Sequence, residues 1–284
     1  MNGYRIEELF AKYTKHPIIQ AHTDLPEYPE IRTKLLYTFL QAGAETYNEC
    51  ELYALVTSLV QMGLDTHDHV DVSEKQLDEK QARSRQLKVL AGDYFSSRFY
   101  DLLSREGHIE VIKHLSAAIC EVNRLKMNLY LMIKKVKVTA EEYLLHNVNI
   151  KSHLYLAFSR LMNGLNREKW PDIVQGFTHC EIILHEMDRM ESFKNFRYGW
   201  AYWVILQSAT KDEIKWIQSE EEDQVKLKSL LLKYNLRTML YQLLDQQVTH
   251  VFSKVDQMDS PKMIKEIYRI GLPYMRYLAA PKVL

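Results

Sequence analysis

The chain has 284 residues, enough for one large hydrophobic core or two small ones. Lysine plus arginine and aspartate plus glutamate both number 37, so no global charge favours nucleic acid or anionic lipid, although a local patch stays open. The most apolar run, WAYWVILQSA from Trp200, is about half the roughly 20 residues that a membrane span needs, and Cys50, Cys120 and Cys180 form no CxxC pair.

The opening segment, MNGYRIEELFAKYTKHP, is polar and amphipathic and has no apolar centre of the kind a secretory signal requires. With the scattered cysteines, it points to a reduced, cytoplasmic protein without a transmembrane segment. It also reads as a first helix, over 4–15. Further helices are expected over 29–42, 45–70, 74–105, 108–136, 140–163, 171–190 and 194–209, then a broken stretch over 212–256 and a last helix over 261–279. The periodicity is plainest in HIEVIKHLSAAICEVNRLKMNLYLMIKKVKV. There Ile109, Ile112, Leu115, Ile119, Val122, Leu125, Leu129, Met132 and Val136 recur three or four apart.

Start signals agree with this reading. Ser73-x-x-Gln76, Thr139-x-x-Glu142 and Ser219-x-x-Glu222 have the form of capping boxes, and Pro171 and Pro261 suit first helical turns. Glycine and proline are scarce, at 9 and 7, and no strand-like alternation of useful length occurs. The expected fold class is all-α, a helical bundle of about 8–10 helices forming one domain over 1–284.

One segment carries unusual chemistry. HDHVD at 67–71 sets two histidines and two aspartates within five positions. On a helix, Asp68 and Asp71 share a face, as do His67 and Asp71. Neutral imidazole suits zinc, iron or copper, whereas paired carboxylates suit magnesium or manganese. An adjacent His-Asp pair is also the core of the HD phosphohydrolase pattern, for which His22 upstream and Asp101 downstream are candidates. The plain alternative is a polar helix end facing solvent.

The following helix narrows the choice. QLKVLAGDYFSSRFYDLLSREG resembles the helix that follows the first aspartate-rich motif in trans-polyprenyl diphosphate synthases, an all-α family whose fold the bundle is expected to share. PEIRTKLLYTFLQAG is similar to the family's early helix, where a Gly-Lys-Arg-x-Arg-Pro string binds isopentenyl diphosphate; only Arg32 remains of it. TAEEYLLHNVNIKSHLYLAFSRL is similar to a later helix, with Lys151-Ser152 where a Lys-Thr pair usually stands. The resemblance covers about residues 29–190, and 191–284 match only as helix.

The resemblance implies what the two motif positions have lost. In the family, Asp-Asp-x-x-Asp holds magnesium ions against the allylic diphosphate, stabilising it as it leaves. Here the first motif reads Asp68, His69, Val70, Asp71, Val72: one aspartate in place, a poor magnesium ligand at the second, and valine at the last. The second reads Leu184, His185, Glu186, Met187, Asp188, in which only Asp188 matches. The arginine pair after the first motif is missing too.

This pattern resembles the small subunits, component I, of bacterial heterodimeric heptaprenyl diphosphate synthases. The resemblance implies a non-catalytic chain with no catalytic residue and no metal or cofactor of its own. A catalytic component II would then carry both aspartate motifs and the magnesium, and the pair would elongate farnesyl diphosphate with isopentenyl diphosphate for the menaquinone side chain. A partner interface is expected at 88–103 and 108–136, with Leu90, Phe95, Phe99, Ile112 and Ile119 as anchors. Val60, Gly63 and Leu64 stand where single-chain relatives place the wall that limits product length, with the prenyl diphosphate product at the shared interface. A helical scaffold or adaptor unrelated to isoprenoids, or an HD-type metal phosphohydrolase, are the competing readings.

Several residues have plainer expected roles. Gly92 should mark close helix packing, and Met127 and Met132 a core or subunit interface. Phe196, Tyr198, Trp200, Tyr202 and Trp203 should be buried packing, the SEEED run at 219–223 a solvated helix start, and the three cysteines buried thiols.

Overall fold

A computed structural model describes residues 5–70, 78–219 and 222–280. Among the described residues every regular element is a helix and none is a strand: α1 (Ile6–Thr14), α2 (Pro17–His22), α3 (Glu30–Gln41), α4 (Cys50–Asp68), α5 (Glu79–Arg105), α6 (Ile109–Lys134), α7 (Ala140–Leu156), α8 (Gly164–Arg189), α9 (Phe193–Phe196), α10 (Trp200–Ser208), α11 (Lys211–Gln218), α12 (Gln224–Lys233), α13 (Leu236–Val255) and α14 (Pro261–Ala279). A short 3-10 turn, Ala157–Leu161, extends α7.

Two compact units emerge. The first comprises residues up to Ile119 together with Ala157–Arg167; the second comprises Cys120–Leu156 and Glu168 onward. In the first, α4 is the central helix. Every residue from Tyr53 to Thr66 is buried, so both its apolar and its small polar positions face other helices. The polar ones are satisfied within the helix: the Thr57, Ser58 and Thr66 hydroxyls donate to the carbonyls of Tyr53, Leu55 and Met62, each at 2.7 Å. Around α4 the core gathers Ile6 and Phe10 from α1, Ile19 from α2, and Ala91 and Phe95 from α5. In the second unit, Phe177 of α8 meets Phe252 of α13 edge-on, at 5.7 Å between ring centroids, and Tyr274 of α14 at 6.0 Å.

Most helix boundaries follow the local signals. The Thr139–Glu142 capping box is formed, with Glu142 N–H to Thr139 Oγ1 at 3.1 Å and Thr139 N–H to Glu142 Oε2 at 2.9 Å. Pro261 opens α14 as expected. Ser73 and Gln76 lie outside the described residues, and α5 instead starts at a box that Asp78 and Gln81 make.

Two expectations fail for physical reasons. Ser219 ends α11 rather than starting α12, because Asp223 accepts the Val225 and Lys226 N–H groups at 2.9 and 3.0 Å and is the cap. Pro171 sits inside α8, which begins seven residues earlier at Gly164, so it removes one donor from the helix ladder instead of opening it. Helix α2 escaped notice because six residues are too few to show a period.

Candidate functional site

The two motif segments lie in different units and are built differently. The first ends α4. Asp68 is its last residue, His69 follows as the C-cap, and both are exposed. Asp71 falls outside the described residues. Just upstream, the His67 ring lies on Gly92 of α5, so close that a Cβ there would sit 2.7 Å from ring atoms, and His67 Nε2 stands 3.3 Å from Asp93 Oδ1. Gly92 is therefore a packing glycine, as its setting in the sequence implied. On the other side of the same contact, a Cβ on Gly63 would meet the Gly92 carbonyl oxygen at 2.8 Å and the Ser96 amide nitrogen at 2.9 Å.

This fit changes the reading of α4 as a channel wall. The space beside Gly63 is filled by the α5 backbone rather than left for a prenyl chain. Val60 and Leu64 are 0% and 5% exposed, closed into the same core. Below them runs a buried polar chain. Arg32, 2% exposed, donates from Nη1 to Gln61 Oε1 at 3.2 Å, and Gln61 Nε2 donates to Asp65 Oδ1 at 2.9 Å. The one basic residue left at the isopentenyl-binding position is thus turned inward and held.

The second segment forms the last turns of α8. His185 and Asp188 are exposed and Met187 is buried. Glu186 is 3% exposed, and both its oxygens are taken by the protein. Oε2 accepts the Trp200 N–H at 2.7 Å, which ties α8 to the start of α10. Oε1 accepts the Tyr143 hydroxyl at 3.0 Å and lies 3.5 Å from Arg189 Nη1.

Arg189 then spends its other donors on backbone. Its Nε bonds the Asn195 carbonyl at 2.6 Å and its Nη2 the Arg197 carbonyl at 2.8 Å, while Nη1 also reaches Tyr143 Oη at 2.8 Å. Burial, reinforced by the Glu186 charge and opposed by Arg189, pushes the Tyr143 hydroxyl well above its ordinary value, so it stays protonated and donates. Buried and bonded to the protein through both oxygens, this carboxylate is not presented to solvent as a magnesium ligand would be. Among the described residues no three His, Cys, Asp or Glu side chains gather in a way that could hold a metal.

The expected interface residues separate into two faces of α5. Phe95 and Phe99 are 0% and 8% exposed, directed into their own unit's core, and so cannot anchor a partner. The opposite side is the outward one: Leu90, Tyr94 and Tyr100 are 62%, 39% and 60% exposed across a broad face. Ile112 and Ile119 of α6 are half-buried. Met127, expected in the core or a subunit interface, is 67% exposed and so lies outside this chain's core. One further expectation changes: Cys120 is exposed, while Cys50 and Cys180 are buried. Of the aromatic group, Tyr198 is half exposed and the others are buried as expected.

Sequence reasoning missed the Glu186 network because Tyr143 and Trp200 are 43 and 14 residues away. Only Arg189, three residues on, was a local signal.

Residues 16–232 match the family model described as heptaprenyl diphosphate synthase (HEPPP synthase) subunit 1. The chain belongs to that family. Over 89 residues it is 39% identical to heptaprenyl diphosphate synthase component 1 of Geobacillus stearothermophilus, a stretch making up 31% of this chain and 38% of that relative. The chain thus matches well under half of that relative's length. Among solved structures, geranylgeranyl pyrophosphate synthase of Lactobacillus brevis in complex with citrate superposes with a TM-score of 0.77 at 13% identity, covering 96% of this chain and 94% of that one. Heptaprenyl diphosphate synthase of Staphylococcus aureus superposes with a TM-score of 0.70 at 14% identity, covering 98% and 97%. At such identities the likeness establishes the shared all-α prenyl synthase fold alone. Membership of the subunit 1 family argues against the unrelated scaffold and the phosphohydrolase.

Proposed function

We propose that this chain is the non-catalytic subunit of a two-component heptaprenyl diphosphate synthase. It pairs with a catalytic component II that holds the magnesium and both intact aspartate motifs. Together they extend farnesyl diphosphate with isopentenyl diphosphate, supplying the side chain of menaquinone. The observation that carries the reading is Glu186, whose two oxygens are consumed by Trp200, Tyr143 and Arg189. The acidic position has become part of the fold's internal wiring, which fits a chain relieved of binding a diphosphate-metal cluster. The relatives' names and the inward-turned Arg32 support the same reading.

The partner surface follows from α5. Its outward-facing Leu90, Tyr94 and Tyr100, with Ile109 of α6 at 62% exposed, supply the apolar surface to be covered. Such an obligate interface typically buries roughly 2,000 Å² or more. Product length is then set through the position of α4, whose Val60 and Leu64 fix it in the core, and not through an open wall at Gly63.

The test is co-expression with a prenyl synthase subunit carrying two intact Asp-Asp-x-x-Asp motifs, followed by native mass spectrometry. A two-chain complex is expected. The double substitution Leu90→Glu and Tyr100→Glu should dissociate it while leaving helicity unchanged. Only single-chain masses from the wild-type co-expression, or an intact complex with the double variant, would contradict the pairing or its surface respectively.

A further inference from the structure

Between Glu121 and Glu141 the sequence holds five cations, Arg124, Lys126, Lys134, Lys135 and Lys137, and no carboxylate. In a chain with 37 acidic residues balancing 37 basic ones, this is a local departure. Arg124 is neutralised by Glu121 at 2.5 Å. Lys134, Lys135 and Lys137 are exposed, and among the described residues no carboxylate oxygen lies within 4.0 Å of them. The neighbouring acids on α7 are occupied at its start, where Glu142 caps Thr139, or face solvent, as Glu141 does.

The same end of α6 is apolar on its outside. Met127, Tyr130 and Leu131 are 67%, 62% and 47% exposed, and with Lys134 they fall at helical spacing on one stripe. Beyond the last turn stands Val136, 55% exposed and held at φ 52°. It occupies the left-handed position of a helix-ending motif: its N–H reaches the Ile133 carbonyl at 2.9 Å, and the Lys137 N–H reaches the Met132 carbonyl at 3.0 Å. Glycine is the usual residue there, and a β-branched side chain is strained. An outward-facing apolar residue is thus kept where it costs the fold stability.

We infer that this end of α6 is a contact surface for an anionic lipid bilayer. Exposed lysines following methionine, an amphipathic tyrosine and leucine, and flanking an exposed valine, are the composition of an interfacial membrane contact. The apolar tips enter the headgroup boundary while the ammonium groups meet lipid phosphates. A protein partner with a complementary acidic face is the rival occupant. The uncompensated lysines at a helix end favour the bilayer, since a buried protein interface is typically depleted in lysine. The patch begins at Met127, inside the 108–136 segment expected to meet the partner and eight residues, about 12 Å along the helix, beyond Ile119, the last anchor named there. The assignment stands without the pairing proposed above, because the vesicle assay uses this chain by itself.

Full-length protein is mixed with phosphatidylcholine vesicles, with or without phosphatidylglycerol, and sedimented. Binding is expected to the anionic vesicles only, and to weaken as salt rises. Each lysine near such a surface is worth roughly fivefold, so Lys134→Gln, Lys135→Gln and Lys137→Gln together should weaken binding about a hundredfold. Val136→Gly should also weaken it, with helicity retained. Three results would overturn the inference: no anionic-lipid binding by the native chain, equal binding by the triple variant, or loss of vesicle binding once component II is bound. The last would assign this face to the protein partner.

Discussion

Replacing Glu186 by alanine is expected to cost this protein a large part of its stability. The side chain is 3% exposed and accepts from the Trp200 N–H at 2.7 Å and the Tyr143 hydroxyl at 3.0 Å, with Arg189 Nη1 at 3.5 Å. Its loss strands two buried donors at about 1–3 kcal/mol each and leaves a partly buried guanidinium without its counter-charge. Arg189 retains its two backbone carbonyls, so the sum falls short of full additivity. The expected loss is about 3–5 kcal/mol, against a typical total of about 5–15 kcal/mol.

Glutamine keeps the shape and one acceptor but turns an amide donor toward a donor, so Glu186→Gln should lose about 2 kcal/mol. Urea unfolding followed by far-ultraviolet circular dichroism measures both, with the slope reporting whether the unfolded state has changed. A loss below about 1 kcal/mol for Glu186→Ala would refute the network argument. A Glu186→Gln protein of native stability whose complex with component II had lost magnesium-dependent turnover would show that the carboxylate still serves chemistry.

The Val136→Gly substitution should raise stability by roughly 0.5–1 kcal/mol, since relief of a left-handed β-branched residue exceeds the entropy glycine adds to the unfolded chain; a lowered melting temperature would refute it. Gly63→Ala should destabilise by about 1–3 kcal/mol, because its Cβ meets α5 backbone at 2.8 and 2.9 Å, whereas Gly92→Ala should be nearly neutral, because the half-exposed His67 ring can swing away. Equal effects in thermal melts would contradict that contrast. Glu213 is held at about 2, chiefly by its bond from Lys233, then by Thr210 and Tyr234. A depressed carboxylate stabilises above its ordinary value and loses that contribution as pH falls toward 2, so native protein and Glu213→Gln should differ in melting temperature at pH 7 and converge near pH 2.

The helical periods made the fold legible, because apolar residues three or four apart persist through α6 and start signals such as the Thr139 cap and Pro261 in the first turn of α14 are local. The boundary at Pro171 was not legible, since what holds Gly164–Trp170 helical ahead of the proline is tertiary packing around the buried Trp170. The unusual residues at the two motif positions were visible in the sequence, but the bonding that holds Glu186 was not. Nothing in LHEMD indicates that Glu186 bonds a backbone amide on another helix. On α5, Leu90 faces outward as expected, but Phe95 and Phe99, placed with it, are buried: the sequence alone does not tell which apolar side of the helix faces the core.

The central claim is that this chain supplies a required subunit and no active site. Radiolabelled isopentenyl diphosphate and farnesyl diphosphate with magnesium should be incubated with this chain alone, with component II alone, and with both, and the prenyl products separated by chromatography. The account predicts long-chain product only in the mixture. Turnover by this chain purified free of any partner, or full activity of component II without it, would contradict the account.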